Sequence, residues 1–138
     1  MRAIKFRGKE INNGEWVYGD LILGDCFPKR VWISSIHDRE RLRSIDSGTK
    51  KAIFRAYEVD PETVGQFTGL KDYNGKEIYE GDVIKYHPEA NAGIGRVVYL
   101  GSGFYVLDEF NGLLDDFATM GIEVIGNIHE NPELLEVE

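Results

Sequence analysis

The sequence predicts a mainly β protein: a small barrel-containing fold with Gly-rich turns and little helix beyond short turns. Three observations predict it. Sixteen glycines in 138 residues exceed the roughly 7% of average usage, and glycine is costly inside helices but useful in turns and bulges. Apolar and polar residues alternate in short runs, the period of a half-buried strand. Turn dipeptides such as Asn13-Gly14 and Asn74-Gly75 punctuate those runs. No long amphipathic helix is legible.

Taken in order, residues 3–7 alternate as a first strand, with Ile4 and Phe6 on one face. Ile11-Asn12-Asn13-Gly14 is a hairpin turn. Residues 15–23 form a second strand rich in β-favouring side chains, Trp16, Val17, Tyr18 and Ile22. Gly24-Asp25 and Pro28 end it. Residues 30–36 form a third, with Val31 and Ile33 on one face and Trp32 on the other. Residues 37–51 are charged and poor in apolar side chains, the pattern of a long exposed excursion. A fourth strand spans 52–59. Asp60-Pro61-Glu62-Thr63 has a cap followed by Pro at the first position of a short turn.

Residues 64–68 are a short strand, and Asp72-Tyr73-Asn74-Gly75 is a tight turn because Asn and Gly accept positive φ. Residues 77–86 are a strand interrupted at Glu80-Gly81-Asp82. Residues 95–100 and 104–107 pair around Gly101-Ser102-Gly103, and Gly93-Ile94-Gly95 reads as another hairpin turn. Residues 113–120 have room for one or two helical turns, 122–128 form the last strand, and Asn131-Pro132 opens a short C-terminal helical turn. The expected division is an N-terminal β subdomain, 1–60, carrying the basic excursion 37–51, and a C-terminal barrel-like subdomain, 61–138.

Composition narrows the function classes. A single cysteine, Cys26, rules out an internal disulfide framework and fits a small buried hydrophobe. No apolar run reaches the roughly 18 residues of a membrane span, and the N-terminus lacks a signal-peptide core. The bacterial cytosol is the expected compartment. Residues 1–55 hold twelve Lys and Arg against seven Asp and Glu, a net of +5, and residues 56–138 hold four against seventeen, a net of −13, which together give the net −8. Such asymmetry favours head-to-tail attraction between copies. The acidic half repels phosphate and disfavours general nucleic-acid binding.

The most informative stretch is TVGQFTGLKDYNGKEIYEGDVI, residues 63–84. With Ile4-Lys5-Phe6-Arg7, Trp16-Val17-Tyr18-Gly19-Asp20, Val124-Ile125-Gly126-Asn127-Ile128 and Asn131-Pro132-Glu133-Leu134-Leu135, it resembles the YopX-like proteins of bacteriophages and prophages. The resemblance implies a β-rich, barrel-containing fold and a mobile-element origin. It brings no established activity and no catalytic residues. Within the motif, Gly65, Gln66, Thr68, Gly69, Asp72, Gly75, Ile78, Glu80, Gly81 and Asp82 are expected to be structural.

Asp72, Glu77, Glu80 and Asp82 lie close in sequence, and in an extended strand Glu80 and Asp82 share a face. Paired carboxylates bind hard cations such as Mg²⁺, but the expected role is hydrogen bonding to turn backbone. His37, His87 and His129 have no zinc-site spacing, and no nucleophile-elbow or phosphate-loop pattern occurs. The strand aromatics are expected mainly in cores and cross-strand pairs. No cofactor is implied. The expected function is a non-enzymatic interaction or assembly module, pairing with itself and with a phage or host protein. Arg39, Arg41, Arg43, Lys50 and Lys51 are the candidate contacts with an acidic partner or, in the alternative, nucleic acid. A carboxylate metal enzyme is the more distant alternative.

Overall fold

In a computed structural model, the structure describes residues 3–24, 29–35, 55–86, 93–108, 111–118 and 121–135. The chain divides into two compact units, Ile4–Gln66 and Phe67–Glu138 with Met1–Ala3. The division falls inside a strand, six residues beyond the end of the expected first subdomain. Cys26, His37, His87 and the basic residues from Arg39 to Lys51 lie outside the described residues.

The N-terminal unit is an antiparallel sheet of β1 (Phe6–Lys9), β2 (Trp16–Leu23), β3 (Val31–Ser35) and β4 (Ala56–Val59), in the order β4-β3-β2-β1. Gly65 and Gln66, which open β5 (Gly65–Lys71), pair with Arg7 and Phe6 on the far side of β1. Strand alternation does the sorting. Val17 and Leu21 of β2 and Val31 and Ile33 of β3 turn inward to join Phe6, Val59 and Val64, while Trp16, Tyr18, Ile22 and Trp32 take the opposite face. Complete burial of Ile33 and Val59 contributes about 1.5–3 kcal/mol each. Gly8 carries no side chain because a Cβ there would lie 2.9 Å from Val59 Cγ2.

The first strand begins at Phe6, so Ile4 is not part of this face and stays 68% exposed. The Asn12-Asn13-Gly14 turn forms as expected: the Glu15 N–H donates to Asn13 Oδ1 (2.9 Å), and Gly14 takes φ +70°. The cap at Asp60 forms too. Asp60 Oδ1 accepts from the Glu62 N–H (3.1 Å) ahead of a 3-10 turn at Pro61–Thr63. Thr63 Oγ1 accepts from the Lys9 N–H (2.8 Å), tying the turn to β1.

The C-terminal unit contains the rest of β5, paired with β6 (Glu77–Tyr79), and a five-stranded antiparallel sheet. That sheet is ordered β10 (Gly112–Leu113), β9 (Gly103–Leu107), β8 (Gly93–Leu100), β7 (Asp82–Tyr86), β11 (Ile122–Asn127). A short helix α1 (Leu114–Ala118) follows β10, and a 3-10 turn at Pro132–Leu135 follows β11. The core joins Ile78, Ile84, Tyr86, Val97, Phe104, Val106, Leu114, Phe117 and Ile122. The Tyr86 and Phe117 rings meet edge-on, with centroids 4.7 Å apart.

The fold is mainly β, with two corrections to the sequence reading. First, the sheets are open. Among the described residues, a single bridge, Glu10↔Val59, brings the end of β1 to β4, with the Asp60 N–H donating to the Lys9 carbonyl (2.9 Å). One bridge is not a ladder, so "barrel" describes the architecture only loosely. Second, Gly93 and Gly95 are not a hairpin turn. They sit in β8, opposite Tyr86 and Ile84. Glycine is needed there because the Tyr86 ring covers Gly93, and a Cβ on Gly95 would lie 2.6 Å from Val106 Cγ1.

Candidate interaction surface

The motif of residues 63–84 lies mostly in the C-terminal unit, where its polar side chains bind backbone. Thr68, almost fully buried, donates from Oγ1 to the Ile78 carbonyl (2.7 Å) and accepts from the Leu70 N–H (3.2 Å). Gly69, at φ +88°, sits where the β5–β6 register shifts. Asp72 is also buried. Its Oδ1 accepts from the N–H groups of Asn74 (2.9 Å) and Lys76 (2.8 Å), and its Oδ2 from the Val124 N–H (3.0 Å). The Tyr73 N–H donates to the Ile122 carbonyl (3.0 Å). The Asp72–Gly75 turn therefore occupies backbone groups of β11, the end strand of its sheet, as a device against edge pairing would.

Gly81, at φ +93°, donates to the Val97 carbonyl (2.8 Å) and accepts from the Ile128 N–H (2.9 Å). Asp82 Oδ2 accepts from the Tyr79 N–H (2.7 Å). The shared face expected for Glu80 and Asp82 does not form. The strand breaks into a turn at Glu80-Gly81, leaving Glu80 half-buried and Asp82 1% exposed. Among the described residues, no group of three or more His, Cys, Asp or Glu is placed to hold a metal ion. Gly75, at φ +86°, has open space where a Cβ would go. Gly75→Ala is therefore expected to cost only backbone strain, about 1–2 kcal/mol, and Gly75→Asn less, measured by denaturant midpoint.

The outer face of the N-terminal sheet is different in kind. The Arg7 guanidinium lies 4.5 Å from the Trp16 ring centroid and Lys9 Nζ lies 5.6 Å from it. The Arg30 guanidinium lies 5.1 Å from the Trp32 ring. Such contacts contribute roughly 0.5–2 kcal/mol each, depending on solvation. Arg30 also grips Glu58 with both arms, Nε to Oε2 at 3.0 Å and Nη2 to Oε1 at 2.7 Å. Arg7 is 5% exposed, whereas Tyr18 and Ile22 on the same face are each 43% exposed.

Sequence reasoning missed this face because its pairs are long-range. Lys9 meets Trp16, Arg7 meets Tyr18 and Trp32 meets Glu58 only through strand register. Alternation alone offered the one usable signal, since it puts Trp32 opposite the Val31–Ile33 face. The hydrogen bonds from Arg30, followed by its charge, hold the Glu58 carboxyl below the ordinary carboxylate range. A depressed folded-state pKa gives stability that is present above the unfolded pKa and lost as pH falls through the folded one. A carboxyl-carbon NMR titration should show Glu58 titrating low, and Arg30→Gln should return it toward the ordinary value.

Of the other candidate groups, the His129 N–H donates to Asn127 Oδ1 (3.0 Å) in the turn after β11. Tyr79, Tyr86 and Phe104 are core residues, while Tyr18, Tyr73 and Tyr99 are exposed. Tyr73 Oη donates to Glu123 Oε2 (2.8 Å), which raises the phenol's pKa. Counted by structural unit, residues 4–66 hold eleven Lys and Arg against ten Asp and Glu, a net of +1. Residues 1–3 and 67–138, the other unit, hold five against fourteen, a net of −9, and the two give the net −8. The asymmetry persists, carried mainly by the acidic unit.

The family model for YopX protein matches residues 5–136, nearly the whole chain. The chain belongs to the YopX protein family. Among solved structures, it is similar to protein EF1440 from Enterococcus faecalis, at 25% identity and a TM-score of 0.56, over 99% of this chain and 100% of that one. No curated protein matches it. Among the described residues, no helix of this family member is long and apolar enough to cross a membrane.

Proposed function

We propose that this YopX-family chain is a non-enzymatic accessory module of a phage or prophage, acting in the host cytosol by protein–protein contact and assembling with itself. The supporting observation is the outer face of the N-terminal sheet. It exposes Tyr18 and Ile22 beside two tryptophans that carry guanidinium groups. Trp, Tyr and Arg are the residues that dominate binding energy at protein interfaces. A tryptophan held by a cation also loses little side-chain freedom when a partner arrives. Arg39, Arg41, Arg43, Lys50 and Lys51 are proposed to add contacts to an acidic partner.

Native mass spectrometry of the protein purified gently from host cytosol tests this reading. A discrete oligomer, with or without a bound phage or host protein, is expected. A monomer that co-purifies with nucleic acid or with a divalent metal would overturn it.

A further inference from the structure

The C-terminal sheet carries an apolar row on its outward side. In β8, Val97 turns into the core, so Arg96, Val98 and Leu100 turn outward. Val98 stands opposite Tyr105, and Tyr105 stands opposite Leu113 on β10. Val98 and Tyr105 are half-buried, Leu100 is 50% exposed and Leu113 44%. The solvent side of an antiparallel sheet normally alternates to polar, so an apolar row across three strands marks a surface that something covers.

The 3-10 turn at Pro132–Leu135 shows from where a cover can come. It is anchored at the end of β11, where the Asn131 N–H donates to the Asn127 carbonyl (2.8 Å) and the Asn127 N–H to Asn131 Oδ1 (3.3 Å). From there it lies on the outward side. A Cβ on Gly126 would meet Asn131 Oδ1 at 2.6 Å and Leu134 Cδ1 at 2.9 Å, and Gly126 stands opposite the outward, fully buried Val83 of β7. The turn also lies beside β8, the next strand after β7. The chain thus crosses the strands from β11 toward β8, in the direction of the row. Leu135 is the last described residue, and Glu136-Val137-Glu138 follow it in the sequence. Three extended residues reach about 10 Å, or two strand spacings of roughly 4.8 Å.

Local charge suits these three residues. Of the two outward cations in the strands of this sheet, Lys85 stands opposite Glu123. Arg96 is exposed, and its register neighbours are Val83 and Leu107 rather than a carboxylate. We infer that residues 136–138 continue across the face as a strap, with Val137 seated on Val98 and Tyr105. In an extended strap Val137 turns to the sheet and both glutamates turn away. The long Arg96 side chain rises beside the strap to meet one of their carboxylates. The cover is intramolecular, so this inference stands apart from the self-assembly proposed above.

NMR of the full chain tests it. The Val137 methyl protons should show nuclear Overhauser contacts to the Tyr105 ring, and the ring current should move their shifts away from random-coil values. Arg96→Glu should abolish both signals, and adding Glu136→Lys and Glu138→Lys should restore them. Unchanged amide shifts in the core residues show that each variant is folded. Val137 methyls at random-coil positions in the wild type overturn the inference, as do contacts that survive Arg96→Glu or a charge swap that restores nothing. If Val98 and Tyr105 signals instead move with protein concentration while Val137 stays at random coil, a second copy covers the row and the strap is wrong.

Discussion

Replacing Asp72 with Ala is expected to destabilise the protein by about 2–4 kcal/mol, because three backbone N–H groups lose their acceptor at once. Two of those donors, on Asn74 and Lys76, hold the turn, and the third, on Val124, belongs to β11. The loss is therefore both local and long-range. The three bonds are part-buried, so in the variant solvent can take over some of the freed donors, which keeps the cost below the sum of three fully buried orphans. Removing one negative charge from an acidic unit offsets a little more. Asp72→Asn should fall between the two, since an amide keeps one accepting oxygen and replaces the other with a donor. Thermal unfolding should show the ranking, with a drop for Ala on the order of 10 °C. A second signature is expected from the edge. With the turn loosened, the Ile122 carbonyl and the Val124 N–H are freed for another strand, so light scattering during unfolding should rise more for Asp72→Ala than for a core variant of equal stability.

Gly95→Val is expected to cost about 3 kcal/mol, although Val is a better strand residue than Gly by propensity. The site is closed on two sides. A Cβ would lie 2.6 Å from Val106 Cγ1 and 3.0 Å from the Leu107 carbonyl oxygen. The first neighbour belongs to the fully buried core, and the second is backbone of the paired strand, so neither yields cheaply. Denaturant unfolding of Gly95→Val and Gly75→Ala side by side separates the two uses of glycine: lack of volume at the first, freedom of φ at the second. Equal stability losses would contradict the assignment of Gly95 to a packed strand.

The sequence by itself determined the local structure. The Asn13-Gly14 and Asn74-Gly75 turns, the Asp60-Pro61 cap, the break at Glu80-Gly81 and the inward placement of Val31 and Ile33 depend on φ preference, side-chain reach and a period of two. All of those act between near neighbours. The family was legible for the same reason, since its motif is continuous in sequence.

Contacts between distant residues were decided only by the tertiary structure. Gly93 and Gly95 looked like turn residues because nothing nearby shows that Tyr86 and Val106 cover them. Asp72 looked like one carboxylate in an acidic cluster, and its reach to Val124, 52 residues on, made it a clamp on an end strand. Cations and tryptophans that are unremarked neighbours or strangers in the chain became one face once β1 registered against β2 and β3 against β4. Register is set by the summed burial of whole strands rather than by any single residue, so the surfaces on which this protein's proposed assembly depends appear only when the sheets are formed.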